Sequence, residues 1–276
     1  MSWQITATGP TSLGLLDQYG GAAAAYSLRN LSIYNTSPVV RVRRSGDNTE
    51  SDFTAAQVSD GTLAAWVGAG NNGFVRTWYD QSGNGRNAIQ TTTAQQPQIV
   101  SSGAVLVDGS NPVLAFNPSA AVSSNQNLTT SAFGLVHPFH VFNVFRFTAF
   151  IGTGSTPATV LDGATIGDSI DFRENGTNFQ IYSGAYLYNG PIGRSTATGL
   201  YNALYNTSSS TFRYNASLLA SGSAGSNNPG GLTIGNYAAG SRGAPARISE
   251  LVVYSSSQAA NQTAIEANIN AHYSIY

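Results

Sequence analysis

The chain has 276 residues, of which 41% are hydrophobic, 11% aromatic and only 9% charged, against a norm of about 25% charged for soluble domains. It can bury a core, so it is not a disordered segment, whose charge is high and whose aromatics are few. Net charge is -1, all 12 basic residues are arginine and there is no cysteine; this argues against a nucleic-acid or anionic-membrane partner and removes disulfides, thiolate chemistry and cysteine-bound metal.

Residues 1–20 are Gly-punctuated and weakly periodic, and read as an arm or attachment segment ahead of a single domain over 21–276. They lack the charged and apolar regions of a signal peptide, and no stretch reaches the about 20 apolar residues that span a bilayer. Ala22, Ala23, Ala24, Ala25, Leu28 and Leu31 predict a short N-terminal helix over 21–31, because alanine has the highest helix propensity. After turn chemistry at Asn35-Thr36-Ser37-Pro38, alternation sets Val40 and Val42 on one strand face and Arg41 and Arg43 on the other. Asp47, Glu50 and Asp52 follow as local partners for those arginines. A strand over 75–79 then leads into a Gly- and Asn-rich loop, where Asp80 suits an Asx turn.

Beyond residue 100 the signal is almost wholly β. Residues 104–116 carry two strands around Asp108-Gly109-Ser110-Asn111. Over 137–150, Phe139, Val141, Asn143, Phe145 and Phe147 alternate with His140, Phe142, Val144 and Arg146, so both faces are apolar and the strand belongs inside a sheet. Further strands at 158–161, 168–173, 178–182, 185–188, 201–205, 211–215, 231–235 and 246–254 argue for an all-β, two-sheet antiparallel sandwich. The tail has Ala260, Ala264, Ile265, Ala267, Asn268 and Ile269 at helical spacing, and predicts a C-terminal helix capped by Ser257 or a neighbouring serine.

A glycosidase needs two carboxyl groups flanking the bond, one of them raised in pKa. The candidate acids are Asp80, Asp171 and Glu174, but Asp171 and Glu174 stand three apart on a strand and point to opposite faces. Asp171 with Arg173, and Glu250 beside Arg247, read as solvent-facing ion pairs. Sugar binding needs aromatic faces with amides and hydroxyls beside them, for which Tyr182, Tyr186 and Tyr188 with Asn189, and also Trp66 and Tyr237, are the candidates. His137, His140 and His272 have no metal-binding spacing. Asp162, Asp168 and Asp171 lie close enough in sequence to offer oxygen ligands to calcium, although solvated loop acids are the plainer reading and no cofactor is expected.

Residues 248–276, the strand ISELVVY and the helical tail after it, resemble the closing signature of bacterial and phage concanavalin A-like, laminin G-like sandwiches. Residues 212–237, with Leu232-Thr233-Ile234-Gly235, are similar to that family's penultimate hairpin, and the likeness runs over roughly 100–276. In the first hundred residues, AAYSLRNL, VVRVRRSGDNTESDF and Tyr79-Asp80-Gln81-Ser82-Gly83 resemble modules of phage and prophage virion proteins. They also resemble the amino-terminal part of the family 54 arabinofuranosidase catalytic domain. The resemblance implies a concanavalin A-like jelly roll with short N-terminal and C-terminal helices. Its functional implication is a non-enzymatic, homo-oligomeric virion component, at a tail fibre, tail spike or head-decoration position of a bacteriophage. Such a component contacts host surface polysaccharide and other virion proteins, with a purely structural cement protein as a variant. The alternative it implies is a glycoside hydrolase of arabinofuranosidase type, with Asp171 or Glu174 nearest the family's nucleophilic glutamate. That family places its proton-donating aspartate soon after the Leu-x-Ile-Gly strand, where residues 234–243 here contain no acid.

Overall fold

The β-forming residues pair almost entirely antiparallel in the computed structural model, which describes residues 13–117, 125–151, 156–164, 170–240 and 242–276. In chain order the strands begin with β1 (Ala22–Ser27), β2 (Val40–Arg44), β3 (Glu50–Phe53), β4 (Gly73–Trp78), β5 (Ala88–Ile89) and β6 (Gln98–Ser101). Next come β7 (Ala104–Val105), β8 (Val107–Asp108), β9 (Asn111–Pro112), β10 (Leu114–Phe116), β11 (Leu128–Thr129), β12 (Phe139–Phe147), β13 (Ala158–Asp162) and β14 (Asp171–Glu174). The rest are β15 (Phe179–Tyr182), β16 (Tyr186–Gly190), β17 (Gly199–Tyr205), β18 (Ser210–Tyr214), β19 (Ser217–Gly222), β20 (Thr233–Ile234) and β21 (Ala246–Tyr254). The α-helices are α1 (Leu15–Gln18), α2 (Ala55–Ser59), α3 (Thr62–Val67) and α4 (Gln262–Tyr273), none of them long and apolar enough to cross a membrane.

The all-β class stands, but the ladders do not divide into two sheets. Nineteen strands join in one network, with β8 and β9 as a separate hairpin. The reason is that two strands each hold tandem partners on one edge. Strand β21 pairs with β12 on one side and with β1 and then β10 on the other. Strand β4 pairs with β2 on one side and with β5 and β6 on the other. From β4 one arm runs β5–β11–β20–β13–β14–β15–β16, and the other runs β6–β10–β21–β12–β17–β18–β19. The arms curl toward each other, and Tyr188 of β16 lies 5.1 Å from Phe212 of β18, so the network is nearly closed into a barrel.

Inside the curl, Phe145, Phe147, Phe172, Phe179, Tyr201 and Phe212 form an aromatic core, with Phe145 stacked on Tyr201 at 3.9 Å. On the outer face of β12, Phe142 and Val144 meet Ile265 and Ile269 of α4, together with Leu15 of α1. Both faces of β12 are therefore covered, as its alternation requires. Each fully buried isoleucine there contributes about 1.5–3 kcal/mol of burial free energy.

The predicted helix over 21–31 does not form. Ala22 to Ser27 are buried without exception and run as β1 along β21, from Ala22 opposite Tyr254 to Ser27 opposite Glu250. Small side chains are what that position demands, because it is covered on both sides, and tertiary pairing overrides alanine's helix propensity. The C-terminal helix forms, but its cap is Asn261 instead of a serine.

Candidate functional site

Five buried residues make up β13, which ends on Asp162 and turns at Gly163, where a side chain would meet the Pro229 carbonyl oxygen at 2.7 Å. The Asp162 carboxylate accepts the Gly163 N–H through Oδ1 at 2.7 Å and the Ala238 N–H through Oδ2 at 2.9 Å. The β13–β14 register runs to Leu161 opposite Phe172; Asp162 and Asp171 are the next residues of the two strands, near enough that the Asp162 charge acts on Asp171. Asp171 is buried and is held by the Arg173 guanidinium, Nη1 to Oδ2 at 2.8 Å, while Oδ1 has no hydrogen-bond partner among the described residues. Burial pushes its pKa up to about 7; Arg173 opposes this, the Asp162 charge adds to it and Arg242 opposes it again.

Two further buried polar atoms without a hydrogen-bond partner belong to the same neighbourhood. One is the Tyr205 hydroxyl of β17, whose pKa is raised well above the usual value by burial and then by the charges of Asp171 and Asp162. The other is Nδ2 of Asn236, in the segment after β20 that also carries Ala238. The Oδ1 of Asn236 accepts the backbone N–H groups of Tyr237 at 2.8 Å and Arg242 at 3.0 Å, and the Arg242 guanidinium lies over the Tyr237 ring at 4.4 Å. Buried polar atoms without partners are rare in folded proteins, and a group of them at one end of a barrel is the expected mark of a place for water or a ligand.

A polar strip leads from this pair to the surface. Tyr182 is directly opposite Asp171, and its ring lies 5.0 Å from that of Tyr186, which is half exposed. Arg173 stacks over Tyr186 at 5.3 Å and donates to its hydroxyl and, through Nε at 2.9 Å, to Gln180. Gln180 in turn donates to Asn189 at 3.0 Å. Tyr182, Tyr186, Asn189 and Tyr237 are thus brought into one region with Asp171.

The other sequence-named residues are elsewhere. Tyr188 packs on Phe212 and accepts the Ile192 N–H, and Trp66 sits on α3 against Phe53 at 5.2 Å with Arg44 over it. Asp80 accepts the N–H groups of Ala25, Ser82 and Arg86 at 2.9, 2.9 and 3.0 Å, an Asx turn that joins its loop to β1. Glu174 faces the core, accepting from Ile151 N at 2.5 Å, Gly176 N at 2.9 Å and Arg194 Nε at 3.0 Å. Two ion-pair expectations change. Asp171–Arg173 is buried, because Asp171 lies under the barrel end. Glu250 pairs with Arg29 at 2.7 Å while Arg247 pairs with Asp108 at 2.8 Å, because Arg29 follows β1 onto the Glu250 side of β21. Of the three aspartates considered for calcium, Asp162 and Asp171 come together and Asp168 lies outside the described residues. No group of three metal-ligating side chains exists among the described residues. Sequence reasoning missed Asp162 as an acid; its one local signal is a carboxylate closing the apolar run Ala158–Asp162. Tyr205, Asn236 and Arg242 carried no local signal.

The fold is a nearly closed antiparallel β network with two buried carboxyl groups, Asp162 and Asp171, on adjacent strands. No family model matches the chain, and no curated protein matches it. Solved structures that share its fold include a Glu-to-Gln mutant of a family 54 α-L-arabinofuranosidase soaked with 4-nitrophenyl α-L-arabinofuranoside. The TM-score is 0.66 at 14% identity, over 93% of this chain and 65% of that one. Another is an arabinofuranosidase complexed with arabinofuranosyl-α-1,2-xylobiose, with TM-score 0.62 at 15% identity over 93% of this chain and 64% of that one. The chain therefore spans about 65% of the length of the arabinofuranosidases it resembles. This corrects the expected kinship with concanavalin A-like virion proteins, and with it the phage tail-fibre or decoration role. The arabinofuranosidase likeness extends over 93% of the chain, well past the first hundred residues in which the sequence had suggested it.

Proposed function

We propose that the chain is a carbohydrate-active domain that hydrolyses an α-L-arabinofuranoside or a closely related glycoside, with Asp171 and Asp162 as its acid and base. The observation that carries this reading is the Asp162–Asp171 pair itself, two buried carboxyls on adjacent strands, one with its pKa pushed up to about 7. A carboxylic acid that keeps its proton near neutrality is what protonation of a leaving glycosidic oxygen requires. Asp171 fills that role, and Arg173 neutralises the carboxylate it becomes. Asp162, fixed by two backbone N–H groups, attacks the sugar carbon or activates water. Lying on adjacent antiparallel strands, the two carboxyls are placed to flank one glycosidic bond, and a retaining mechanism calls for about 5–5.5 Å between them. Tyr205, Asn236 and the Tyr182–Tyr186 strip supply hydroxyl, amide and aromatic groups for the sugar.

The departures from the family pattern agree with this assignment of roles. Of the two residues nearest the family's nucleophile by resemblance, Asp171 and Glu174, Glu174 is saturated by three hydrogen bonds on the core face, so the chemistry falls to the aspartates. The test is release of 4-nitrophenol from 4-nitrophenyl α-L-arabinofuranoside by the purified chain. Turnover with retained configuration, reduced about a hundredfold or more in Asp171→Asn and Asp162→Asn, is the expected result. Absence of turnover, or turnover untouched by both substitutions, would refute the proposal.

A further inference from the structure

The protein has 12 arginines and no lysine. Nine of the arginines reach a carboxylate at 3.3 Å or less. Two more are satisfied by neutral oxygens: Arg43 donates to Gln96 at 2.8 Å and Asn48 at 2.7 Å, and Arg86 donates to the Ala23 carbonyl at 2.8 Å. Arg242 is the exception. Its backbone N–H is bound by Asn236 and its carbonyl by Thr159 at 2.6 Å, but its guanidinium has neither ion pair nor hydrogen bond among the described residues. It lies over the Tyr237 ring at 4.4 Å, a cation–π contact that leaves the fork of N–H donors unoccupied by any described residue.

The position of this free fork gives it a use. The Arg242 charge acts on Asp171, and its backbone is tied to Asn236, one of the residues with an unpartnered buried polar atom. Hydroxyls and amides suffice for the neutral groups of a sugar, whereas a planar guanidinium fork matches a carboxylate in two parallel, charge-assisted hydrogen bonds. Resting on the functional reading above, we infer that Arg242, stacked on Tyr237, anchors a carboxylate-bearing sugar, so that the ligand of this site is an oligosaccharide containing a uronic acid. The local charge favours such an anion. While Asp171 keeps its proton, Arg173 and Arg242 are opposed in this neighbourhood by Asp162.

The test is calorimetric binding of trigalacturonate and of arabinotriose to the full chain and to D171N, in slightly acidic buffer. Trigalacturonate should bind about tenfold tighter or more, with the advantage shrinking as NaCl is raised. R242Q should bring the ratio of the two affinities close to one, and R242K, which keeps the charge but not the fork, should restore only part of it. Because the Arg242 side chain makes no hydrogen bond among the described residues, the melting temperature of R242Q should match that of the parent, which separates loss of the anchor from misfolding. Equal affinity for the two trisaccharides, or a preference that survives R242Q, overturns the inference. In that case Asp171-dependent hydrolysis of the arabinofuranoside would leave the functional reading standing. If neither trisaccharide binds and nothing is hydrolysed, both are overturned.

Discussion

Burial acts on Asp171 and His140 in opposite senses of charge. The Asp171 carboxyl is pushed up to about 7, so between its unfolded value near 3.8 and that point the folded state binds more protons, and stability is lost as pH rises. The His140 ring is lowered to about 4, chiefly by burial and further by Arg213, against the hydrogen bond to Asn202. Its Nδ1 accepts the Gln258 N–H at 3.2 Å, which fits a neutral ring whose Nε2–H donates to Asn202, itself tied to Glu266 and through it to Arg213. Below its unfolded value near 6.5 the unfolded chain binds more protons, so stability is lost as pH falls from there toward 4. At about 1.4 kcal/mol per pKa unit, each group is worth a few kcal/mol across windows that overlap. Between about pH 4 and 6.5 the two groups therefore act in opposite directions, with the His272 ring, lowered by burial, adding to the His140 side. Chemical denaturation across this range should find stability rising with pH in Asp171→Asn and falling with pH in His140→Gln; identical flat profiles in both variants would contradict the account. At this scale the sequence singled out Tyr182, Tyr186, Asn189 and Tyr237, which the fold brings into one region with Asp171, and Tyr188 and Trp66, which lie elsewhere. It was uninformative about Asp162, Tyr205, Asn236 and Arg242, since what distinguishes them is an unmet hydrogen bond or a neighbouring charge far away in sequence.

Among the elements, β1, β21 and α4 are fastened by one buried carboxylate. Glu250 of β21 receives Ser27 Oγ at 2.9 Å, Arg29 Nε at 2.7 Å and the Tyr273 hydroxyl at 3.1 Å. Burial alone would raise its pKa, but Arg29 and Ser27 bring it below the usual carboxylate value. Glu250→Ala strands a buried guanidinium and should cost about 3–5 kcal/mol, as breaking a buried pair does, read as a drop in the urea midpoint. An unchanged midpoint would mean that Arg29 escapes to solvent. The same junction explains the misread first element. Four successive alanines locally favour a helix, but their small side chains also allow β1 to lie fully covered along β21, and that choice depends on a partner more than two hundred residues away.

Over the whole molecule, the network is joined by tandem pairing on β4 and β21, and its two long arms end on β16 and β19. Tyr186 on β16 and Leu218 on β19 are exposed, whereas β12 is covered on both faces. Amide hydrogen exchange should therefore be fastest in β16 and β19 and slowest in β12 and β21. Slow exchange at the two ends would indicate a closed barrel. The strip of Tyr182, Tyr186 and Asn189 lies next to one of these ends, so the surface leading to the carboxylate pair is built on the less protected part of the fold.

By itself, the sequence determined that this is an all-β protein with a central strand at 139–147 and a helix at its end. Those properties come from local periodicity, which survives in one dimension. It also removed cysteine sulfur from the chain's possible metal ligands, since there is no cysteine. Only the tertiary structure decided that the strands form one curling network, that the alanine run is a strand, and that Asp162 and Asp171 come together on adjacent strands. It likewise decided that the Arg242 guanidinium has no ion pair or hydrogen bond among the described residues. Each of these depends on register between distant segments and on burial, and neither quantity is defined until the chain has folded.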